Sequence, residues 1–251
     1  MEWYMILAVV WIGFVAGFIN TVAGGGSTLT LPLLMFLGLP ANVANGTNRI
    51  AILMQNIVGV STFRKKKVIG LKTDYKLAVP AVVGSIIGAL IAVEISEKLM
   101  EAVIGIVMVL MLLLVALNPN AWVKEKAGGI SAKPSLLQYV IFFFIGLYGG
   151  FIQMGVGFIL LGGLVLGCGY DLVKANGVKV FIVLIYTLFA LAIFFYNKQV
   201  DLAVGLILGV GNMVGAYAGV HFTVKGGVKY VRYVLMIALV LIILKLFGVI
   251  G

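Results

Sequence analysis

Charge is what this chain of 251 residues has least of, at 10% of the total. A soluble domain carries roughly a quarter, so there are too few charges here to cover a water-facing surface. Carboxylates are scarcest: eight Asp and Glu stand against 18 Lys and Arg. All of them (Glu2, Asp74, Glu94, Glu97, Glu101, Glu125, Asp171 and Asp201) fall in loops or at the ends of apolar runs. None sits mid-run, where pumps and sodium-coupled carriers need one, and this argues against a cation path. A single cysteine, Cys168, excludes an intrachain disulfide and a cysteine-based metal cluster. His221, the sole histidine, is either a proton-sensing group or a plain interfacial one. Enzyme signatures are missing as well: no metal-ligand cluster, no Gly-x-Ser-x-Gly, no phosphate loop with its lysine and no paired intramembrane aspartates. No enzyme, metal site or cofactor is therefore expected.

Apolar sequence is what the chain has in abundance. Hydrophobic residues make up 63% of it, and the mean hydropathy is +1.21. Continuous apolar runs of about 18 residues or more recur, the length that crosses roughly 30 Å of hydrocarbon. Because they do not alternate, they predict helices rather than the strands of a barrel. Eight long segments are read at 3–20, 45–63, 75–93, 98–117, 136–153, 178–196, 202–221 and 231–250, with two short ones at 27–39 and 158–169. The first has Glu2 in place of a basic leader and no cleavage site, so it reads as a retained span. The expectation is an all-α polytopic protein of a cell (plasma or inner) membrane, whose partner is the lipid bilayer. The net charge of +10 then reflects basic loops on the cytoplasmic side and not nucleic acid.

The two halves echo each other. Gly17-Phe18-Ile19-Asn20 matches Gly150-Phe151-Ile152-Gln153, Ala44-Asn45-Gly46 matches Ala175-Asn176-Gly177, and Gly84 to Ala89 matches Gly211 to Ala216. The offsets (20 to 153, 44 to 175, 84 to 211) are 133, 131 and 127, so order is kept. Three matches in register predict an internal duplication, with one repeat over 1–117, a cytoplasmic linker over 118–135 and a second repeat over 136–251. If all ten segments cross, most Lys and Arg collect in the loops 64–76, 118–135, 170–179 and 222–232, all on one side. The positive-inside rule then favours inverted repeats with both termini outside. Re-entrant short segments would make the repeats parallel instead.

The strongest local feature is Asn20-Thr21-Val22-Ala23-Gly24-Gly25-Gly26-Ser27-Thr28. Three glycines in a row end a helix, and Ser27 or Thr28 is placed to cap the next one. A helix broken inside a bilayer is tolerated where it is buried in protein or lines a wet cavity, and the free N–H groups of such an end attract an anion. The second half holds a weaker copy, Gln153-Met154-Gly155-Val156-Gly157. A tight helix-packing turn is the other reading of both. Asn45, Asn48 and Arg49 in one half, and Asn176 and Lys179 in the other, set amides and a cation at the entry of a long segment. Those cations either draw an anion into a cavity or snorkel to the headgroups. Gln55 and Asn56 either bond across helices or face the path. Gly84-x-x-x-Gly88 and Gly211-x-x-x-Gly215 read as sites of close helix packing.

Taken together, the Gly17 to Asn20 stretch running into the Ala23 to Gly26 break, Pro32, the Ala44 to Asn48 stretch, the degenerate copy over Gly150 to Lys179 and the Gly84 and Gly211 motifs resemble the TauE/SafE family of sulfite exporters over nearly the whole chain. The resemblance implies a plasma-membrane protein of two repeats that exports a small inorganic or organosulfur anion such as sulfite, sulfoacetate or another sulfonate; an alternating-access carrier is expected, with an anion channel or a non-transport scaffold or assembly protein as the alternatives. The second break has only two glycines, and Asn48 aligns with Lys179, so the two half-sites need not be equivalent. Monomer and homodimer both remain open.

Overall fold

The computed structural model describes residues 2–70, 75–117 and 134–246, with side chains placed as far as Met111 in the fifth helix and Gly226 in the last. Among these residues there are helices and no strand. They are α1 (Trp3–Val22), α2 (Ser27–Phe36), α3 (Ala41–Lys65), α4 (Ala78–Glu94) entered through a 3-10 turn at Tyr75–Leu77, and α5 (Glu97–Leu117). After the linker come α6 (Leu136–Phe151), α7 (Val156–Gly162) continuing as a π turn at Gly163–Gly167, α8 (Leu172–Tyr196) and α9 (Leu202–Leu246).

Among the described residues, four segments are long and apolar enough to cross a membrane: Trp3–Val22, Tyr75–Glu94, Leu172–Tyr196 and Leu202–Gly226. Helix α3 has the length, at 25 residues, but it carries Asn45, Asn48, Arg49, Gln55 and Asn56 and keeps all five buried. Large apolar side chains such as Trp11, Leu90, Ile106, Phe144 and Phe195 are exposed on the outside. That inversion of the soluble pattern, polar within and apolar without, belongs to a multi-pass membrane protein.

Several expected boundaries move. The sixth residue from the start of α3 is already Gly46, and α8 begins at Leu172, so the two amide-and-cation stretches lie inside helices and not at their entries. The segment expected over 136–153 is a helix of 16 residues. The loop expected over 222–232 is absent: Leu202–Leu246 runs as one helix of 45 residues. No proline interrupts it, and the Gly226-Gly227 pair costs only about 1 kcal/mol per residue relative to alanine, too little to stop a helix. The tally of basic loops loses that member. Most of the expected linker, 118–133, lies outside the described residues.

Two helix seams dominate the packing, α1 against α9 and α4 against α6. Both are made by glycine. A Cβ added at Gly84 or Gly88 would strike the carbonyls of Phe143 and Leu147; one added at Gly211 or Gly215 would strike those of Val10 and Phe14. The two seams are the same contact made twice, because 84 and 88 map to 211 and 215 at offset 127, while 10 and 14 map to 143 and 147 at offset 133. Each half thus lends a helix to the other: α4 packs on α6, and α9 packs on α1.

A cavity where two broken helices cross

The first break starts where α1 ends, with the amides of Ala23 and Gly24 both donating to the Ile19 carbonyl at 2.7 and 3.1 Å. Gly24 then turns with φ +94°, a left-handed conformation that residues with a Cβ adopt at a cost. Neither Ser27 nor Thr28 caps α2. The cap position is Gly26, whose amide donates to Asn20 Oδ1 at 2.9 Å, and the Thr28 hydroxyl turns back to the Gly25 carbonyl at 2.6 Å. Asn20 takes over the capping because the break folds it back onto the start of the next helix. The amides of Gly24, Gly26 and Thr28 are therefore all bonded within the protein.

The second break follows Phe151. Its turn is set by Gly155, at φ +71°, and held by the Tyr148 hydroxyl, which donates to the Met154 carbonyl at 2.6 Å. The two breaks cross at Gly24 and Gly157. A Cβ on either would collide with the backbone of the other. These residues are equivalents, 133 apart.

Each break is tied off by the opposite half. Arg49, fully buried, donates to the carbonyls of Gly149 at 3.0 Å and Gly150 at 2.6 Å, the open end of α6. Its guanidinium also lies 4.4 Å from the centre of the Phe194 ring. Asn45 adds a bond to the Phe151 carbonyl at 2.8 Å. In mirror fashion Lys179 Nζ donates to the carbonyls of Asn20 at 2.8 Å and Thr21 at 3.0 Å, the open end of α1, and to Asn176 Oδ1 at 2.7 Å. Positive charge at a helix C-terminus is favourable, and unpaired carbonyls there need partners. Neither cation snorkels. They are the only buried charges among the described residues, and no carboxylate is buried with them.

Beside the crossing lies a small cavity, with about 20 Å³ in which the centre of a water molecule can sit. The first break contributes Asn20, Gly24 and Ser27, and the second Gln153, Val156 and Gly157; α3 adds Ile52, Gln55 and Asn56, and α8 adds Lys179 and Val183. Its polar groups are mostly bonded to one another: Asn20 Nδ2 and Asn212 Nδ2 both donate to Gln55 Oε1, at 3.3 and 3.4 Å, and Gln153 Nε2 donates to Thr187 Oγ1 at 2.9 Å. Two atoms that line it are buried without a partner, Asn56 Nδ2 and Gln153 Oε1. Buried polar atoms without partners are rare and need an explanation.

Seven of the expected site residues meet here: Asn20, Gly24, Ser27, Asn56, Gln153, Gly157 and Lys179. The others do not line the cavity. Gly25 lies under the Phe158 ring and Gly26 against the Ala16 carbonyl, while Gly155 faces the Met111 sulfur. Asn48 Oδ1 accepts from the Thr30 hydroxyl at 2.7 Å. Arg49, Asn45 and Asn176 hold helix ends as described, and Thr21 and Thr28 point elsewhere in the break. Gln55, expected either to bond across helices or to face the path, does both: it accepts from Asn20 and Asn212 and lines the cavity. Ile52 and Val183 correspond at offset 131, each one turn beyond the aligned pair Asn48 and Lys179. Among the described residues no three His, Cys, Asp or Glu side chains gather to hold a metal.

A family model described as "Sulfite exporter TauE/SafE" matches residues 9–246. The chain is 25% identical over 233 residues to a Sinorhizobium protein named "Probable membrane transporter protein ORF9", covering 93% of this chain and 88% of that one. It is 25% identical over 231 residues to a "Probable membrane transporter protein" of Haemophilus influenzae (90% and 88% covered). To the Escherichia coli K12 "Probable membrane transporter protein YfcA" it is 28% identical over 228 residues (90% and 83% covered). No solved structure matches it. With helices that span, polar groups turned inward and a family match over almost its full length, this chain is a membrane transporter belonging to the sulfite exporter TauE/SafE family.

Proposed function

We propose that the protein is a secondary transporter that exports a small organosulfur anion, sulfite or a sulfonate, across the cell membrane, and that the anion is held in the cavity beside the Gly24–Gly157 crossing. The observation that carries this reading is electrostatic: Lys179 lines the cavity and a second buried cation, Arg49, sits at the end of α6, with no buried carboxylate among the described residues to neutralise them. An uncompensated positive interior in a low-dielectric slab attracts anions and repels cations. The unpartnered Asn56 Nδ2 supplies a directional donor beside that field. An interior-negative membrane potential drives anions outward, which suits export without a nucleotide site.

The exchanged packing supports alternating access. If the halves are inverted repeats, a rocking of one against the other about the two glycine seams would open the cavity first to one side and then to the other. The test is counterflow in proteoliposomes. Vesicles preloaded with unlabelled sulfite should transiently accumulate radiolabelled sulfite above equilibrium, with saturable kinetics. Unsaturated flux without counterflow would show a channel, and no flux of sulfite, methanesulfonate or sulfoacetate would refute the transport reading.

A further inference from the structure

We infer that the cavity selects anions by charge as well as by sulfur chemistry, taking a monovalent oxyanion (a sulfonate or hydrogen sulfite) in preference to a divalent one (sulfite or sulfate). This rests on the proposed transport of a sulfur anion through the same cavity. Lys179 is the one charged side chain that lines it. Its Nζ is bonded to three acceptors at 2.7–3.0 Å, and only the ammonium form has three protons to give. The cavity wall therefore carries one positive charge. Arg49 does not add a second: its guanidinium is turned to the Gly149 and Gly150 carbonyls and the Phe194 ring. In the first half the position equivalent to Lys179 is Asn48, so the halves do not supply matching cations.

One buried charge pairs with one opposite charge. A monoanion leaves the site neutral, whereas a dianion leaves a net negative charge in a medium that penalises it heavily, and its own desolvation is costlier from the start. Because the protons of Lys179 are all engaged, the ammonium acts as a point charge. The contact to the anion falls to the unpartnered Asn56 Nδ2, on a side chain 2% exposed.

Methanesulfonate and sulfate are similar in size and keep charges of one and two throughout the neutral range. Binding of each to the purified protein, measured by calorimetry, should favour methanesulfonate by about tenfold or more, the equivalent of 1.4 kcal/mol. Lys179→Arg should keep the preference, and Lys179→Gln should weaken both anions while leaving sulfate the weaker, because the cation attracts a dianion more than a monoanion. Sulfate binding as tightly as methanesulfonate overturns the charge selection and leaves transport of sulfur anions standing. Binding of neither anion overturns both. Should Lys179→Gln fail to fold, the wild-type comparison and Lys179→Arg still decide.

Discussion

The crossing of the two breaks can be tested by three alanine substitutions that separate its physical components. Gly38→Ala probes backbone conformation alone, since Gly38 has φ +89° and nothing within 4 Å of an added Cβ. A left-handed residue with a Cβ costs roughly 1–2 kcal/mol. Gly157→Ala probes contact alone. Gly157 is helical, but its Cβ would lie 2.6 Å from the Gly24 carbonyl oxygen, and overpacking costs about 1–3 kcal/mol. Gly24→Ala combines both, at φ +94° and against the Gly157 backbone, and the two terms sum to roughly 2–5 kcal/mol if they are independent. The assay is the thermal midpoint in detergent beside flux in proteoliposomes. Stability should fall least for Gly38→Ala and most for Gly24→Ala, with flux unchanged in the first and lost in the last. A Gly24→Ala protein as stable as Gly38→Ala would mean that the breaks do not touch, and the reasoning fails.

Other substitutions address the cations, the cavity and the seams. Arg49→Met strands two helix-end carbonyls and should cost about 1–3 kcal/mol for each, the desolvation penalty of an unsatisfied buried acceptor; Arg49→Lys should rescue poorly, because a point charge cannot fork to both carbonyls and stack on Phe194. A thermal midpoint for Arg49→Met within a degree or so of wild type, on the order of the error of such measurements, would remove the cap from the account. Asn56→Leu takes away a donor with no protein partner, so stability should hold while the KM for sulfonate rises about 10- to 150-fold, as expected from losing one hydrogen bond to a charged group. Gly88→Ala and Gly215→Ala make equivalent collisions, with the Leu147 and Phe14 carbonyls. They should destabilise by similar amounts, about 1–3 kcal/mol each, and a large disparity in thermal midpoint would contradict the equivalence of the seams.

Much of this arrangement was readable in the residues themselves. Three consecutive glycines with left-handed Gly24 among them end the helix after Asn20, and the Gly84 and Gly211 motifs signal close approach because nothing larger fits between backbones. The scarcity of mid-run carboxylates carried through to a cavity with none. What was not readable depended on tertiary contact. Asn20 displaced Ser27 and Thr28 as the cap only because the break folds back on α1. Arg49 and Lys179 looked alike along the chain, yet one serves a helix end away from the cavity and the other lines it. That difference follows from which half crosses which, a fact that local spacing does not contain. The helix through 222–232 shows the opposite failing: its basic residues suggested a loop, but charge alone does not stop a helix when no proline is present.

The central claim, that the anion sits beside the Gly24–Gly157 crossing, is tested most directly by locating one there. Crystals of the protein grown with 2-bromoethanesulfonate would mark the ligand through the anomalous signal of bromine. The peak should fall in the cavity bounded by Asn56, Gln153 and Lys179. A peak elsewhere in the membrane region, with this cavity empty in a protein that transports the compound, would contradict the account.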